Sequence, residues 1–369
     1  MDIIRSATFE GMADDNGFPT RAYRVLYETL AKNKVKTIIT GFMYISNEGR
    51  AMQPGQAGMD SRDKVPAFRE ITDTVHKNGS KIIAQIAHTG RQTTHTGFEI
   101  VGVSSKKSPY FNEKPRILNT GEIYEIVDQF AKSALYAKES GFDGVQIHCA
   151  HGYLIHQFLL SSINNRNDEF KDGFLFLEKI VRKINENCGE FPVWLKVSGG
   201  VDIEKYSEDQ FTEFVKRLGC LRIAAIEVSY GTMDYALNII RGRKIPVKTA
   251  FKHNPIYSNK NFFWKIFALP LVMAKIKKFT PMYNLKLARL AKANIDIPVI
   301  VVGGFRSGDE ILNCGMDAVS LCRPFVREPD FLLKLENDKK YISRCINCNI
   351  CAIMTDTKYP LRCYGGNND

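Results

Sequence analysis

Three histidines and a tyrosine stand close together in the segment QIHCAHGYLIH, residues 146–156. His148, His151 and Tyr153 fall where an apolar run ends and a helical pattern begins. Two imidazoles can hold one oxygen atom with two hydrogen bonds, and a nearby phenol can give a proton to a neighbouring carbon. The alternative is that these side chains only satisfy backbone carbonyls in a polar turn. Their density favours a catalytic site, whereas His156, farther along the helix, is interpreted as structural.

Residues able to hold an anionic cofactor follow other apolar runs. Gln85 stands in AQIAHTGR and Lys196 in WLKVSGG, so an amide and a cation come near the ends of two runs. A Gly-Gly pair ends a third run, in VVGGFRS, and a Cys-Arg-Pro sequence ends a fourth, in SLCRPF. Backbone N–H groups and a helix N-terminus are typical phosphate ligands. The two segments together predict a phosphate site made by Gly303, Gly304, Cys322 and Arg323.

These chemical groups need a scaffold that brings strand ends together. Short apolar runs that alternate with helical patterns are predicted as strands at residues 6–9, 36–42, 81–87, 144–149, 193–198, 225–230, 298–304 and 318–323. Runs that are apolar on both faces are typical of parallel strands covered by helices. One helix is predicted over 120–140, capped by Asn119 or Thr120 and ended by Gly141. The pattern predicts an α/β protein with a (β/α)8 TIM barrel fold, whose chemistry lies at the C-terminal strand ends.

Residues 251–292 are long for a single barrel connection. They are predicted to form an elaborated loop with helices beside the barrel mouth. Phe262, Phe263 and Trp264 stand among lysines in this segment, so a membrane-touching surface is the second reading. The longest uncharged apolar run, residues 266–274, is much shorter than the roughly 20 residues that a membrane span needs. The sequence therefore predicts no membrane span.

Four of the nine cysteines are concentrated near the C-terminus. Their spacing is C-x2-C-x2-C-x11-C, formed by Cys345, Cys348, Cys351 and Cys363. In a chain expected to be cytoplasmic, this pattern indicates a metal or cluster site rather than disulfides. Four thiolates suit a [4Fe–4S] cluster and tetrahedral zinc equally well by ligand type, and free thiols are the third reading. The predicted organisation is a barrel over residues 1–335 and a short C-terminal cysteine-rich extension over residues 336–369.

The charge distribution limits the classes of partner. The net charge is +11, but the Lys and Arg residues are spread along the chain and are interleaved with acidic ones. The chain has no basic tail and no recognisable nucleic-acid-binding motif, so the sequence predicts no nucleic-acid partner. The positive field favours anionic cofactors or substrates instead. A homo-oligomer is compatible with the sequence, which gives no further indication of assembly.

The order of the motifs resembles that of a known family. From residue 5 to residue 331 the chain contains RSATFEGMADDNGFPT, TGFMYISNEGR, AQIAHTGRQ, IHCAHGYLIHQFL, VIVVGGFRS and LCRPFVREPDF. In this order the chain resembles the old yellow enzyme family of FMN-dependent ene-reductases (NADH:flavin oxidoreductases). It is most similar to the branch that contains 2,4-dienoyl-CoA reductase and trimethylamine dehydrogenase. Two departures are the short segment NRNDEFKDGF, which lacks the family's Gly-Gly and Glu-Asn-Arg, and the spacing between the second and third cysteines.

The resemblance implies FMN at the barrel mouth, with NAD(P)H as the reductant. It implies that the flavin ring contacts Ala7, Thr8, Gly41 and Gln85, with Lys196 beside its N1 edge. It places the phosphate at Gly303, Gly304, Cys322 and Arg323. His148 and His151 match the pair that holds the activating oxygen of an electron-poor alkene, and Tyr153 matches the proton donor that completes hydride transfer from flavin N5.

Two other functions fit parts of the same pattern. A barrel lyase or isomerase could use the phosphate site for a phosphorylated substrate, with Lys196 as a Schiff-base or general-base lysine. A non-catalytic subunit could instead use its cysteine-rich extension to contact a redox partner. Protein-bound flavin would separate the ene-reductase from the first, and NAD(P)H oxidation with a simple enone would separate it from the second.

Overall fold

The computed structural model describes residues 2–94 and 96–365 of the chain. Within these residues the main sheet contains eight barrel strands, which are β1 (Asp2–Arg5), β2 (Thr37–Ile39), β3 (Lys81–Ala87), β4 (Gly144–Cys149), β5 (Val193–Ser198), β6 (Ala225–Ser229), β7 (Val299–Val302) and β8 (Ala318–Leu321). Neighbouring strands are parallel, and β1 pairs with both β2 and β8, which closes the barrel. The predicted (β/α)8 fold is confirmed.

One helix follows each strand and covers the outside of the barrel. These helices are α1 (Arg21–Lys32), α2 (Val65–Lys77), α3 (Thr120–Glu139), α4 (Phe174–Cys188), α5 (Glu208–Leu218), α6 (Leu285–Lys292), α7 (Gly308–Leu312) and α8 (Phe331–Asn337). The prediction for α3 is confirmed: the Asn119 side chain accepts a hydrogen bond from the Glu122 N–H in a capping box. Gly141 follows the helix with a φ of +83°, a conformation that glycine adopts without strain.

Three of the eight predicted strands, at 81–87, 144–149 and 193–198, have the predicted bounds. The prediction of a first strand at 6–9 is wrong, because β1 lies at Asp2–Arg5. Residues 6–8 leave the sheet in a turn in which the Thr8 hydroxyl donates to the Ser6 carbonyl. The second run was predicted too long, because the Gly41 N–H bonds to the Glu10 carboxylate instead of a neighbouring strand.

The strand register brings side chains of different strands into rows inside the barrel. His148 on β4 pairs with Lys196 on β5, and Lys196 pairs with Glu227 on β6. Gln85 on β3 pairs with Gln146 on β4. A separate apolar cluster contains Ile4, Ile39, Ile83, Ala225, Ile300 and Ala318, and Ile83 and Ala225 precede Gln85 and Glu227 by two residues on the same strands. The barrel interior therefore has an apolar floor below a polar layer.

Further short helices lie in the long connection and in the extension. The connection between β6 and α6 contains Ala236–Ile239, Val247–His253, Pro255–Ser258, a π-helical turn at Trp264–Ala268, and Leu269–Ala274. The extension contains Ile350–Met354, and helices Leu154–Leu159 and Arg323–Arg327 directly follow the turns after β4 and β8. Within the described ranges, no helix has the length and apolar character to cross a bilayer.

Candidate active site

A cavity of about 280 Å³ lies at the C-terminal ends of the barrel strands. Eleven of the twelve residues predicted to catalyse or to bind the cofactor line it, namely Ala7, Thr8, Gln85, His148, His151, Tyr153, Lys196, Gly303, Gly304, Cys322 and Arg323. Gly41 is absent from the lining, although its neighbour Phe42 is present. A side chain at Gly41 would collide with the Glu10 carboxylate, so this glycine makes room for a buried acid rather than for a ligand.

The polar layer under the cavity is built around the buried carboxylate of Glu227. Lys196 Nζ lies 2.9 Å from Glu227 Oε2, and both side chains are almost inaccessible to solvent. The carboxylate also accepts hydrogen bonds from the hydroxyls of Ser6 and Ser320 and from the Gln146 amide. Burial alone would raise the pKa of Glu227, but the Lys196 ammonium and these donors lower it below its usual value.

Gln85 extends this layer toward the edge of the cavity. Its amide nitrogen donates to Gln146 Oε1 at 2.6 Å, and Gln146 in turn donates to Glu227. This chain of bonds fixes the orientation of the Gln85 amide, so its carbonyl oxygen points away from Gln146. Lys196 also donates to the Ser6 hydroxyl at 3.2 Å. An amine held by a carboxylate and a hydroxyl is a fixed positive charge, not the free amine that Schiff-base chemistry requires.

His148 and His151 face each other, with ring centroids 4.8 Å apart. Burial and the nearby Lys196 charge lower the pKa of His148 well below its usual value, so its ring is neutral at pH 7. His148 Nδ1 accepts a hydrogen bond from the Ala150 N–H, which leaves the proton on Nε2. Burial and the neighbouring His148 likewise lower the pKa of His151. Both rings can therefore act as neutral hydrogen-bond donors.

The backbone at His151 explains why this turn can bring the two rings together. His151 has a φ of +60°, which is uncommon for a residue with a side chain. Hydrogen bonds hold this conformation: the His151 N–H donates to the Ser198 hydroxyl, and the Met233 N–H donates to the His151 carbonyl. His151 Nε2 lies 2.8 Å from the Ser229 hydroxyl, which orients the ring. The ends of β5 and β6 thus position the histidine that follows β4.

Tyr153 precedes the short helix Leu154–Leu159 and packs against His148 and Phe42. Its ring centroid is 4.6 Å from that of His148 and 5.3 Å from that of Phe42. Burial and the charge of Asp356 raise the pKa of Tyr153, so the phenol stays protonated. Among residues 2–94 and 96–365, no side chain forms a hydrogen bond with its hydroxyl. His156, by contrast, accepts a hydrogen bond from the Gly152 N–H, as its structural interpretation requires.

The end of the cavity formed by β7 and β8 suits an anionic, hydroxyl-bearing ligand. Gly303 and Gly304 have φ values of +124° and +83°, so the chain turns there in a conformation that glycine favours. The Arg323 guanidinium lines the same end and is held by Asn349 at 2.8 Å. Asn284 donates to the Val302 carbonyl, but its own side-chain oxygen is buried with no partner in the described residues. These donors and acceptors fit FMN.

A polar cluster on the opposite wall was not predicted from the sequence. Asp356 of the extension accepts hydrogen bonds from Gln53 and Asn254 and lies 3.5 Å from the Tyr110 hydroxyl. Burial raises the pKa of Asp356 to about 6, and the hydrogen bonds oppose this effect. Gln53, Tyr110 and Asp356 line the cavity. The extension is therefore part of the cavity wall.

The four C-terminal cysteines line one small cavity beside Arg323 and Arg327. Burial raises the pKa of Cys351 to about 12, with Cys322 and Cys345 adding to the effect. Within the described residues, no group of three or more His, Cys, Asp or Glu side chains is placed to hold a metal ion. The structure brings the four cysteines to one place, and their role as metal ligands stays a prediction.

Comparison with known proteins agrees with this geometry. Residues 3–272 match the model of the NADH:flavin oxidoreductase / NADH oxidase family. The chain is 28% identical to an NADH oxidase of Thermoanaerobacter brockii, with 95% of this chain and 51% of the relative covered. It is 27% identical to a cinnamate reductase of Clostridium sporogenes, with 92% and 51% covered. The chain thus spans about half the length of these relatives.

A solved structure shows the same likeness in three dimensions. The old yellow enzyme homologue from Zymomonas mobilis superimposes with a TM-score of 0.71 and 25% identity. The match covers 92% of this chain and 89% of that chain. The family match extends over most of the barrel, including the histidines, Tyr153 and Lys196. The chain belongs to the NADH:flavin oxidoreductase / NADH oxidase family.

Proposed function

We propose that the protein is an FMN-dependent NAD(P)H ene-reductase that reduces the activated C=C bond of an enone, enoate or enoyl-type substrate. The observation that carries the proposal is that two neutral imidazoles and a protonated phenol line the same cavity as a buried cation. FMN, when bound, supplies the two-electron hydride chemistry, with NAD(P)H as its reductant. The cinnamate reductase among the relatives supports an activated alkene as the substrate class.

His148 and His151 hold and polarise the activating oxygen of the substrate. Because both rings are neutral, each carries one N–H and adds no charge to the site. His151 has this N–H free for the substrate when Nε2 accepts from the Ser229 hydroxyl and the proton is on Nδ1. Among the described residues none accepts a hydrogen bond from His148 Nε2, so this N–H is free to meet a carbonyl or nitro oxygen. Polarising that oxygen makes the β-carbon of the alkene more electrophilic. The Ser229 hydroxyl and Lys196 charge keep the two rings oriented and neutral.

Tyr153 supplies the proton that the α-carbon needs. Its hydroxyl lies beside His148, and its raised pKa keeps the proton on the oxygen until a carbanion-like carbon develops. Lys196 holds a fixed positive charge at the cavity floor, where negative charge on a reduced cofactor would lie. Arg323, Asn284 and the Gly303–Gly304 turn would hold the ribityl phosphate portion.

Half-reaction kinetics of the Tyr153→Phe variant test the proposal. The purified protein should be yellow and release FMN on heating. With cyclohex-2-enone, we expect Tyr153→Phe to slow alkene reduction by about 100-fold or more, the usual size of a general-acid contribution. Reduction of bound FMN by NAD(P)H should change by less than about 2-fold, because it needs no proton from the phenol. Tyr136→Phe, on the outer helix α3, is the matched control.

The His148→Ala and His151→Ala variants test the oxygen-binding pair. Each should weaken binding of a phenol ligand and lower kcat/KM for the enone by about 10-fold or more, because one hydrogen bond to the activating oxygen is lost. FMN should stay bound in both. Unchanged turnover in both variants would refute the role of the pair, and colourless protein that does not take up FMN would refute the function.

For the extension, we propose that Cys345, Cys348, Cys351 and Cys363 bind a metal through four thiolates, although in the described residues their side chains are not arranged as a metal site. The support is that all four line one cavity and that their residue types suit an iron–sulfur cluster or zinc. Iron, zinc and sulfide content after anaerobic purification separates the cluster from zinc, and the absence of all three would leave free thiols.

A further inference from the structure

Although Lys and Arg residues occur along the whole chain, the net positive charge is concentrated in residues 235–295, between β6 and β7. Residues 235–295 contain thirteen of the 51 Lys and Arg residues and none of the 40 Asp and Glu residues. The remainder of the chain therefore carries a slight excess of acidic residues. Sixty-one consecutive residues without a carboxylate cannot neutralise their own lysines. This segment presents a strongly basic surface on an otherwise balanced protein.

The same segment exposes large apolar side chains in and around its π-helical turn. Phe262, Phe263 and Leu271 are each 69% exposed, and Phe267 is 68% exposed. We refer to these four side chains, three phenylalanines and one leucine, as the aromatic face. Ile266 lies between them and is 46% exposed. A contiguous group of this kind costs free energy in water and marks a surface that another phase or molecule covers.

The opposite side of this helical stretch belongs to the active-site cavity. Leu269, Val272, Met273 and Ile276 line the cavity, together with Phe251 and Tyr257 from the preceding helices. One layer of helix thus separates the aromatic face from the space above the histidines and Tyr153. The exposed surface is directly beside the mouth of the site.

Lysines surround the aromatic face without carboxylate partners. Lys260 and Lys265 lie over the rings of Trp264 and Phe251, at 5.5 and 4.5 Å, so their alkyl stems run along apolar surface. Within the described ranges, no carboxylate forms an ion pair with Lys260, Lys265, Lys275 or Lys278. Their charges stay available for an anionic partner.

The combination of positive charge and exposed apolar surface indicates which kind of partner covers this part of the protein. A symmetric contact between two copies would bring two of these basic segments against each other, and like charges would repel. A nucleic acid would meet the charges but not the aliphatic Leu271 and Ile266. An anionic bilayer offers both an apolar layer for the aromatic face and phosphate headgroups for the lysines.

We propose that residues 260–278 dock the protein on an anionic lipid surface, with the aromatic face inserted and the lysines among the headgroups. This places the mouth of the active-site cavity beside the acyl chains. The docking does not depend on the proposed function, since it concerns the outer side of the helix.

Co-sedimentation of the purified protein with vesicles tests the proposal. We expect the bound fraction to be about tenfold higher on equal parts phosphatidylglycerol and phosphatidylcholine than on phosphatidylcholine alone, and to fall with added NaCl. The Phe263→Ser/Phe267→Ser variant should lose about tenfold in binding. The Ile117→Ser/Ile342→Ser variant removes two apolar side chains of similar exposure elsewhere and should bind like the wild type.

A second readout uses Trp264, which follows Phe263 in the sequence and has Lys260 over its ring. In a Trp194→Phe background, vesicles with brominated acyl chains should quench its fluorescence, whereas headgroup-only contact would not. Absence of vesicle binding, or equal binding by the Phe263→Ser/Phe267→Ser variant, would overturn the proposal. So would a wild-type dimer in light scattering that this variant abolishes, because a second copy would then cover the face. Each result leaves the enone assay untouched, so the two proposals fail separately.

Discussion

Replacing Glu227 by Gln tests whether the barrel interior depends on one buried negative charge. The substitution keeps the size of the side chain and one carbonyl oxygen. It removes the charge that lies 2.9 Å from Lys196 Nζ, in a pair whose side chains are 5% and 0% exposed. It also places an NH2 group where Ser6, Ser320 or Gln146 now find an acceptor.

The expected cost follows from the burial of the pair. Removing one partner of a buried ion pair costs about 3–5 kcal/mol, mostly because the other charge is left uncompensated. The free energy of unfolding of a protein is typically about 5–15 kcal/mol, so the variant should fold but with a large part of its stability lost. We therefore expect the free energy of unfolding of Glu227→Gln at pH 7 to fall by about 3–5 kcal/mol.

Urea unfolding followed by far-UV circular dichroism measures this loss. The Lys196→Met variant and the Lys196→Met/Glu227→Gln double variant complete a double-mutant cycle. Since the double variant leaves no unpaired charge, its loss should be smaller than the sum of the two single losses by about 1–3 kcal/mol. Additivity within about 0.5 kcal/mol would refute the coupling between Lys196 and Glu227.

The pH dependence gives an internal check on the same reasoning. The pKa of Glu227 is lowered in the folded state, so its charged form stabilises the fold at pH values above its unfolded pKa of about 4.3. That stability is lost as the pH falls through the folded value, because protonation does what the substitution does. The difference between wild type and Glu227→Gln should therefore shrink below about pH 4. A difference that persists unchanged to pH 3 would show that lost packing, not lost charge, causes the effect.

Three further predictions concern the other walls of the site. Burial raises the pKa of Asp356 to about 6, so ionisation of this carboxyl opposes folding and the free energy of unfolding should fall between about pH 4 and 6. Asp356→Asn should remove this fall. Urea titrations across this pH range measure the free energy, and an unchanged pH profile in the variant would contradict the prediction. Arg323→Met should raise the Kd for FMN by about 10- to 100-fold, because a charged hydrogen bond to the phosphate is lost. The Kd for riboflavin, which has no phosphate, should change little; fluorescence quenching measures both values. Equal losses of affinity for both ligands would count against a phosphate contact. Cys348→Ser should lose bound iron or zinc, as measured by elemental analysis. The control variant Cys220→Ser, at an exposed cysteine outside the extension, should keep the metal. Metal retained in Cys348→Ser would show that Cys348 is not a ligand.

The sequence predicted the central strands well and the strand ends poorly. The runs at 81–87, 144–149 and 193–198 are almost wholly buried, so their apolar pattern ends where the strand ends. At the mouth, a backbone group instead bonds to a side chain from a distant part of the chain, as the Gly41 N–H does with the Glu10 carboxylate. Such competition depends on tertiary structure, and local patterns contain no record of it.

A similar limit applies to the site residues. His148, His151 and Tyr153 could be found because they are neighbours in sequence. Glu227 stands alone in AIEVSY, where a single acid in an otherwise uncharged strand was the available signal. Asp356 had none, because its partners Gln53 and Asn254 are 303 and 102 residues away.

The two sides of the cavity differ in the rigidity of the elements that form them. The rigid side contains the residues proposed to catalyse the reaction, and the other side is expected to determine the choice of substrate. His148, Lys196 and Glu227 share one register across three central strands, so their geometry cannot change without breaking the barrel. The facing wall comes from helices of seven residues or fewer in the connection after β6 and from the extension around Asp356. Short helices with partly exposed side chains tolerate substitution far better than barrel strands do. Replacing residues on that wall should therefore change which alkenes are reduced, while reduction of the flavin by NAD(P)H stays the same.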